Sequence, residues 1–157
     1  MIPALKVGGA ELAMIRLIQS LKLDYQSIKI TLLVIGKNQS LKGYDWLNEY
    51  CTIKSIPFSF KGRLHKLSGF LYLIYTRYYC FKQNPRKVIC FGEFWNVLAL
   101  GSLYNSGLDI IISDRSDPQL GYSKTFQYAR KYLYPLAHKI ILQTQRANKF
   151  LLRTVEN

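Results

Sequence analysis

Four short stretches of this sequence carry residues whose types and spacing suit chemistry. The first is the glycine pair Gly8 and Gly9 in KVGGAE, at the mouth of a helical pattern. Glycines there let backbone approach a ligand closely, and the free N–H groups of a helix start favour phosphate. A tight turn with no ligand uses the same pair equally well, and the spacing matches neither a dinucleotide fingerprint nor a phosphate-binding P-loop. The second stretch is ISDRSDP, residues 112–118, where an apolar run breaks into charges and then a proline. The planar donor fork of Arg115 suits a phosphate or pyrophosphate, and Asp114 can orient that fork or receive a sugar hydroxyl. The alternative is an ion pair between the two neighbours that steadies the turn. In the third, FGEFWN, Glu93 and Asn96 can receive hydroxyls and Trp95 can stack on a ring, or the same residues cap a helix and fill a core. In the fourth, QTQ, Thr144 suits a ligand contact or a helix N-cap.

No nucleophile is arranged around His65 or His138, and no Ser/His/Asp, Cys/His or paired-carboxylate set stands out. The catalytic residues therefore stay unassigned. Cys51, Cys80 and Cys90 show no CxxC spacing and have only two histidines to assist them, so no metal site and no cofactor are expected. Buried thiols in a reducing compartment are the plain reading, which places the chain in the cytoplasm.

These loops need elements to hold them. Residues 10–22 carry Met14, Leu17, Ile18 and Leu21 at helical spacing. Residues 28–35, IKITLLVI, read as a buried strand, 52–57 as another, and 44–50 as a short helix in a polar connection. The longest helical pattern is 62–82, with Leu67, Phe70, Leu71, Ile74, Tyr78 and Phe81 on one stripe and Asn84-Pro85 as its stop. Beyond it come a strand at 88–91, a helix at 94–104, a strand at 109–113, a helix at 121–134 closed by Pro135, a strand at 139–143 and a helix from 146 onward. Short apolar strands alternating with helices predict an α/β fold: a Rossmann-like parallel sheet with helices on both faces. Ligands of such sheets sit beyond the carboxyl ends of the strands, where all the later loops fall.

Length and composition agree with a single globular domain of 157 residues, 49% hydrophobic and 20% charged. The unusual number is the net charge of +13, from 22 Lys and Arg against 9 Asp and Glu. Such a surface seeks phosphorylated substrates, anionic membrane or nucleic acid. The cations are scattered, with no block of five or more, which argues against a nucleic-acid arm. The start of the chain does not read as a signal peptide, since Gly8 and Gly9 interrupt the first apolar stretch. The apolar region 67–81 is shorter than the ~20 residues of a bilayer span and contains Arg77.

In order and spacing, these motifs resemble the acceptor-side, amino-terminal half of family-4 GT-B glycosyltransferases. IPALKVGGAELAMIRLIQSL is similar to the opening of that family, a strand running into a GGAE turn and an amphipathic helix. IIISDRSDPQLGYSKTFQYARKYLYPLAHKIILQTQRANKFL is similar to its later part, with a strand ending in an acidic or serine residue plus Arg, then DP, an R..Y-P stretch and a strand ending QT. The resemblance implies an enzyme of two Rossmann-like halves that retains anomeric configuration and works in cell-surface polysaccharide synthesis. The partners it implies are a nucleotide-sugar and a glycan or polyprenyl-pyrophosphate-linked acceptor. By carry-over, Gly8 and Gly9 approach the donor phosphates or the sugar, while Arg115 and its neighbours Glu93, Asn96, Asp114 and Thr144 line the acceptor cleft.

The basic, tyrosine-rich helix at 62–82 then suits an anionic membrane surface, peripheral at the inner face; Tyr72, Tyr75 and Tyr79 serve that surface or a second packing face. Two departures stand out. The family's first strand is longer than residues 1–5, so a truncated first strand is expected. The motif and pocket that bind the nucleotide-sugar are not found in these residues, so the chain by itself is expected not to turn over. His138 stands where the family often has Asp. The competing reading is a non-catalytic basic module that binds a membrane surface or a partner, or a degenerate fragment; nucleic acid is ranked last.

Overall fold

A computed structural model describes residues 9–35, 43–56, 65–114, 123–143, 145 and 148. The chain divides into two compact units, Met1–Ser68 and Gly69–Asn157. It is a mixed α/β protein, and among the described residues its strands form two parallel sheets, one of two strands and one of three. The expected first strand, residues 1–5, lies outside the described residues, as does most of the helix expected from 146.

In the first unit, helix α1 (Gly9–Asp24) buries Met14, Ile15 and Ile18, the face that the helical spacing selects. Its last-turn Lys22 donates through Nζ to the carbonyls of Gln26 at 2.8 Å and Ile28 at 3.1 Å, tying the exit loop to the helix end. Strand β1 (Thr31–Ile35) pairs in parallel with β2 (Thr52–Ile56), Leu33 opposite Lys54. Three consecutive residues of β1, Leu32, Leu33 and Val34, are buried, so both faces of the strand are covered. This is why the run reads as unbroken hydrophobic residues instead of an alternation. The connection holds a tight helical turn, Asp45–Glu49, whose Leu47 is fully buried and whose Leu47 carbonyl accepts from the Cys51 N–H at 3.1 Å.

In the second unit, three parallel strands β3 (Lys87–Phe91), β4 (Asp109–Asp114) and β5 (Lys139–Leu142) lie in that order, with β4 in the middle. Helix α3 (Glu93–Ser102) places Leu98, Ala99 and Leu100 in the core, beside Ile110, Ile112 and Leu103. Each large aliphatic side chain buried in this way contributes about 1.5–3 kcal/mol. Gly101 of α3 faces Leu73 and Leu133, whose methyl carbons both lie 3.8 Å from where a Cβ would stand, so α3 is flanked on both sides. Leu133 ends α4 (Lys124–Leu133), which begins with the Ser123 hydroxyl accepting from the Phe126 N–H and continues into a tight turn at Tyr134–Leu136. The N-cap serine moves the helix start three residues later than the sequence pattern alone predicts.

Leu73 belongs to α2 (His65–Gln83). The helix ends as expected: Asn84 takes a left-handed conformation, φ 44°, and its N–H donates to the Cys80 carbonyl at 2.8 Å before Pro85. Its orientation differs from the stripe read in the sequence. Thr76 and Cys80 are buried, whereas Phe70, Ile74, Tyr78 and Phe81 face solvent. Tyr72 packs edge-on against Trp95 with centroids 6.0 Å apart, and Tyr75 stacks on Tyr79 at 6.0 Å. The Tyr72 contact is packing within this unit, and the outward face belongs to the stripe. Arg77 holds this orientation by donating to the carbonyls of Ser102, the last residue of α3, at 2.9 Å and of Tyr104, just beyond it, at 3.0 Å.

Candidate functional site

The carboxyl ends of β3 and β4 are joined through one carbonyl. The Ser113 carbonyl, near the end of β4, accepts from the Gly92 N–H at 3.2 Å and from Asn96 Nδ2 at 3.1 Å. The Gly92 carbonyl in turn accepts from the Asn96 N–H at 2.8 Å, starting α3. Gly92 has φ 94° and ψ 138°, a conformation that only glycine adopts without strain. Gly92→Ala is therefore expected to cost about 1–3 kcal/mol of stability. A denaturant midpoint equal to that of the wild type would show that the turn relaxes at no cost.

Asp114 follows on the same strand and is buried with Arg130 and Tyr134, at 3%, 5% and 0% exposure. Its Oδ2 accepts from Arg130 Nη2 at 2.6 Å and from the Tyr134 hydroxyl at 2.8 Å. The Arg130 guanidinium also lies over the Tyr134 ring, 4.9 Å from its centroid. Burial, then the negative charge of Asp114, push the Tyr134 hydroxyl well above the usual phenol range; Arg130 and the Asn96 amide oppose this in part. Tyr134 thus stays protonated and donates to the carboxylate. Asn96 is fully buried, and its Oδ1 has no hydrogen-bond partner among the described residues.

The structure brings together three of the residues singled out in the sequence. Glu93 is half-buried at the first turn of α3, where a carboxylate also suits the helix dipole. Asn96 and Asp114 lie beneath the loop ends, turned inward, and brace them. Arg130, sixteen residues along the chain, pairs with Asp114; the pairing with Arg115 considered from the sequence lies outside the described residues. Gly9 starts α1 in the other unit. Gly8, Arg115 and Thr144 lie outside the described residues.

Arg130 and Tyr134 are not among the site residues expected from the sequence. The signal that marks them is an arginine four residues before a tyrosine on one helical face, with a carboxylate at a preceding strand end. His138 lies at the other end of the sheet, exposed, with Nδ1 3.5 Å from Asp109. A shallow groove of about 280 Å³ also lies at that end, beside Leu103, Leu108, Ile110 and Leu136, and no charged side chain lines it. Among the described residues no three His, Cys, Asp or Glu side chains are placed to share a metal ion. No helix among them is long and apolar enough to cross a membrane.

Searches with protein-family models and against curated protein sequences find no match for this chain.

Proposed function

We propose that this chain is the acceptor-side half of a retaining GT-B glycosyltransferase, a Rossmann-like domain that binds a glycan or polyprenyl-pyrophosphate-linked acceptor. The observation that supports this most is the convergence of the Gly92-Glu93 turn and Asp114 at the carboxyl end of one parallel sheet, the place where open α/β sheets take their ligands. The motif DRSDP begins there.

In this reading the buried pair Asp114 and Arg130, with Tyr134 and Asn96, sets the position from which the DRSDP loop departs. Arg115 grips the acceptor pyrophosphate through its donor fork, and Glu93 and Thr144 receive acceptor hydroxyls. Gly8 and Gly9 give the donor phosphates close access to backbone N–H groups. The glycosyl bond to the nucleoside diphosphate breaks, a glycosidic bond to an acceptor hydroxyl forms, and the hydroxyl proton is released. A nucleotide-sugar-binding half, in cis or on a separate chain, completes the site.

Co-expression with the genomic neighbours, assayed on polyprenyl-linked acceptors with a panel of nucleotide-sugars, is expected to give product that the purified 157-residue chain alone does not give. Turnover by the purified chain alone would overturn this division of labour. The second reading, a non-catalytic basic module at a membrane surface, draws its support from the outward face of α2. It predicts no transfer with any neighbour.

A further inference from the structure

We infer that Phe94 is the platform on which the sugar ring of the acceptor stacks, with Glu93 beside it receiving a hydroxyl. This rests on the acceptor-side reading and assigns the choice of sugar to one corner of that site. The sequence offers Trp95 for stacking, but the fold engages that ring in packing. Trp95 is half-buried, with Tyr72 edge-on at 6.0 Å between centroids and Phe94 at 5.1 Å and 89°. Phe94 keeps 50% of its surface exposed. It is the second residue of α3, and its ring stacks at 11° on Phe126, the third residue of α4, with centroids 6.4 Å apart. Since β3, β4 and β5 are parallel, α3 and α4 both begin at the carboxyl end of the sheet, and this stack joins their first turns there. Contacts with two other rings order Phe94 before any ligand arrives, so stacking on it costs little conformational entropy.

The neighbouring carboxylate selects the occupant. Glu93 is half-buried, and among the described residues no hydrogen-bond or ion-pair partner meets its carboxylate. An acceptor-only group beside an aromatic ring suits a sugar, which turns a face of C–H groups to the ring and offers hydroxyl donors at its rim. An isoprenoid chain gives the carboxylate nothing to bind, and a phosphate meets it as a like charge. In this reading the pyrophosphate goes to Arg115 and the sugar ring to Phe94.

Equilibrium binding of the purified full chain to two probes tests this: a short polyprenyl-pyrophosphate-linked N-acetylglucosamine and the same polyprenyl pyrophosphate without sugar. Phe94→Leu, which keeps an apolar side chain and removes the ring, is expected to weaken the first about tenfold and the second less than about twofold. Phe94→Tyr is expected to bind both as the wild type does. Glu93→Gln, which leaves the ring in place, is expected to weaken only the sugar-linked probe. Equal binding of that probe by wild type and Phe94→Leu overturns the proposal and leaves the acceptor-side reading standing. An equal loss on both probes assigns Phe94 to the isoprenoid, and UDP binding that Phe94→Leu weakens assigns it to a nucleobase; either overturns the proposal. No binding of either probe by the wild type removes the acceptor-side reading, and this subsite with it.

Discussion

Arg130→Met is expected to destabilise the unit Gly69–Asn157 by about 3–5 kcal/mol, because it takes from the buried Asp114 carboxylate the guanidinium that lies 2.6 Å away. The two side chains are 6% and 4% exposed, so water cannot replace the lost partner. Tyr134→Phe removes the hydroxyl that donates to the same oxygen at 2.8 Å and that the Asn96 amide also meets, and is expected to cost about 1.5–3 kcal/mol. Replacing both charges, Arg130→Met with Asp114→Leu, is expected to recover much of the loss, since the desolvation of both ions disappears together. Urea unfolding of the four proteins measures this. A loss below about 1 kcal/mol for Arg130→Met would mean that the pair is more solvated than its geometry states.

Raising the pH from about 8 to about 11 is expected to weaken the fold even if no surface charge matters. Burial pushes the Cys90 thiol up to about 11 from 9.0, and the Cys51 thiol likewise to about 11. Tyr134 is raised as well. In the unfolded chain each thiol loses its proton near its ordinary value, while the folded chain keeps it. Between the two values the unfolded state binds fewer protons, so stability falls as pH rises and is fully present below about 9. Because Cys90 has no exposed surface, its share amounts to about 3 kcal/mol. The denaturation midpoint of the wild type is expected to drop across this window, and that of Cys90→Ala to drop less. At neutral pH both thiols should react slowly with alkylating reagents until the protein unfolds. A flat midpoint across the window would contradict the burial of the thiols.

How legible the fold was in the sequence depended on whether a signal was local. Strands β1 and β4 are apolar runs whose neighbours cover both faces, so their existence and parallel pairing follow from residue type alone. Asn84-Pro85 ended α2 where expected because a left-handed asparagine before proline leaves the helix no continuation. The face of α2 was harder to read. Phe70, Ile74, Tyr78 and Phe81 make the more apolar side, yet Thr76 and Cys80 are inside, because Tyr72 finds Trp95 and Arg77 finds the end of α3. A helix with apolar residues nearly all round cannot be phased by hydrophobicity; distant contacts phase it.

The site shows the same limit. Glu93, Asn96 and Asp114 stand out in the sequence because they follow strand ends, where open α/β sheets bind, but the pairing of Asp114 with Arg130 and Tyr134 does not. On α4, Arg130 reads as one more surface cation. Only the tertiary fold brings it 2.6 Å from Asp114 and turns Asn96 inward against the Ser113 carbonyl.

The most direct test of the acceptor-side assignment is equilibrium binding to the purified chain. The probes are a short polyprenyl-pyrophosphate-linked N-acetylglucosamine on one side and UDP-glucose, UDP-galactose and UDP-N-acetylglucosamine on the other. The account predicts saturable binding of the lipid-linked sugar, weakened about tenfold or more by Arg115→Ala, and no saturable binding of any nucleotide-sugar. Saturable nucleotide-sugar binding with no affinity for the lipid-linked acceptor would contradict it.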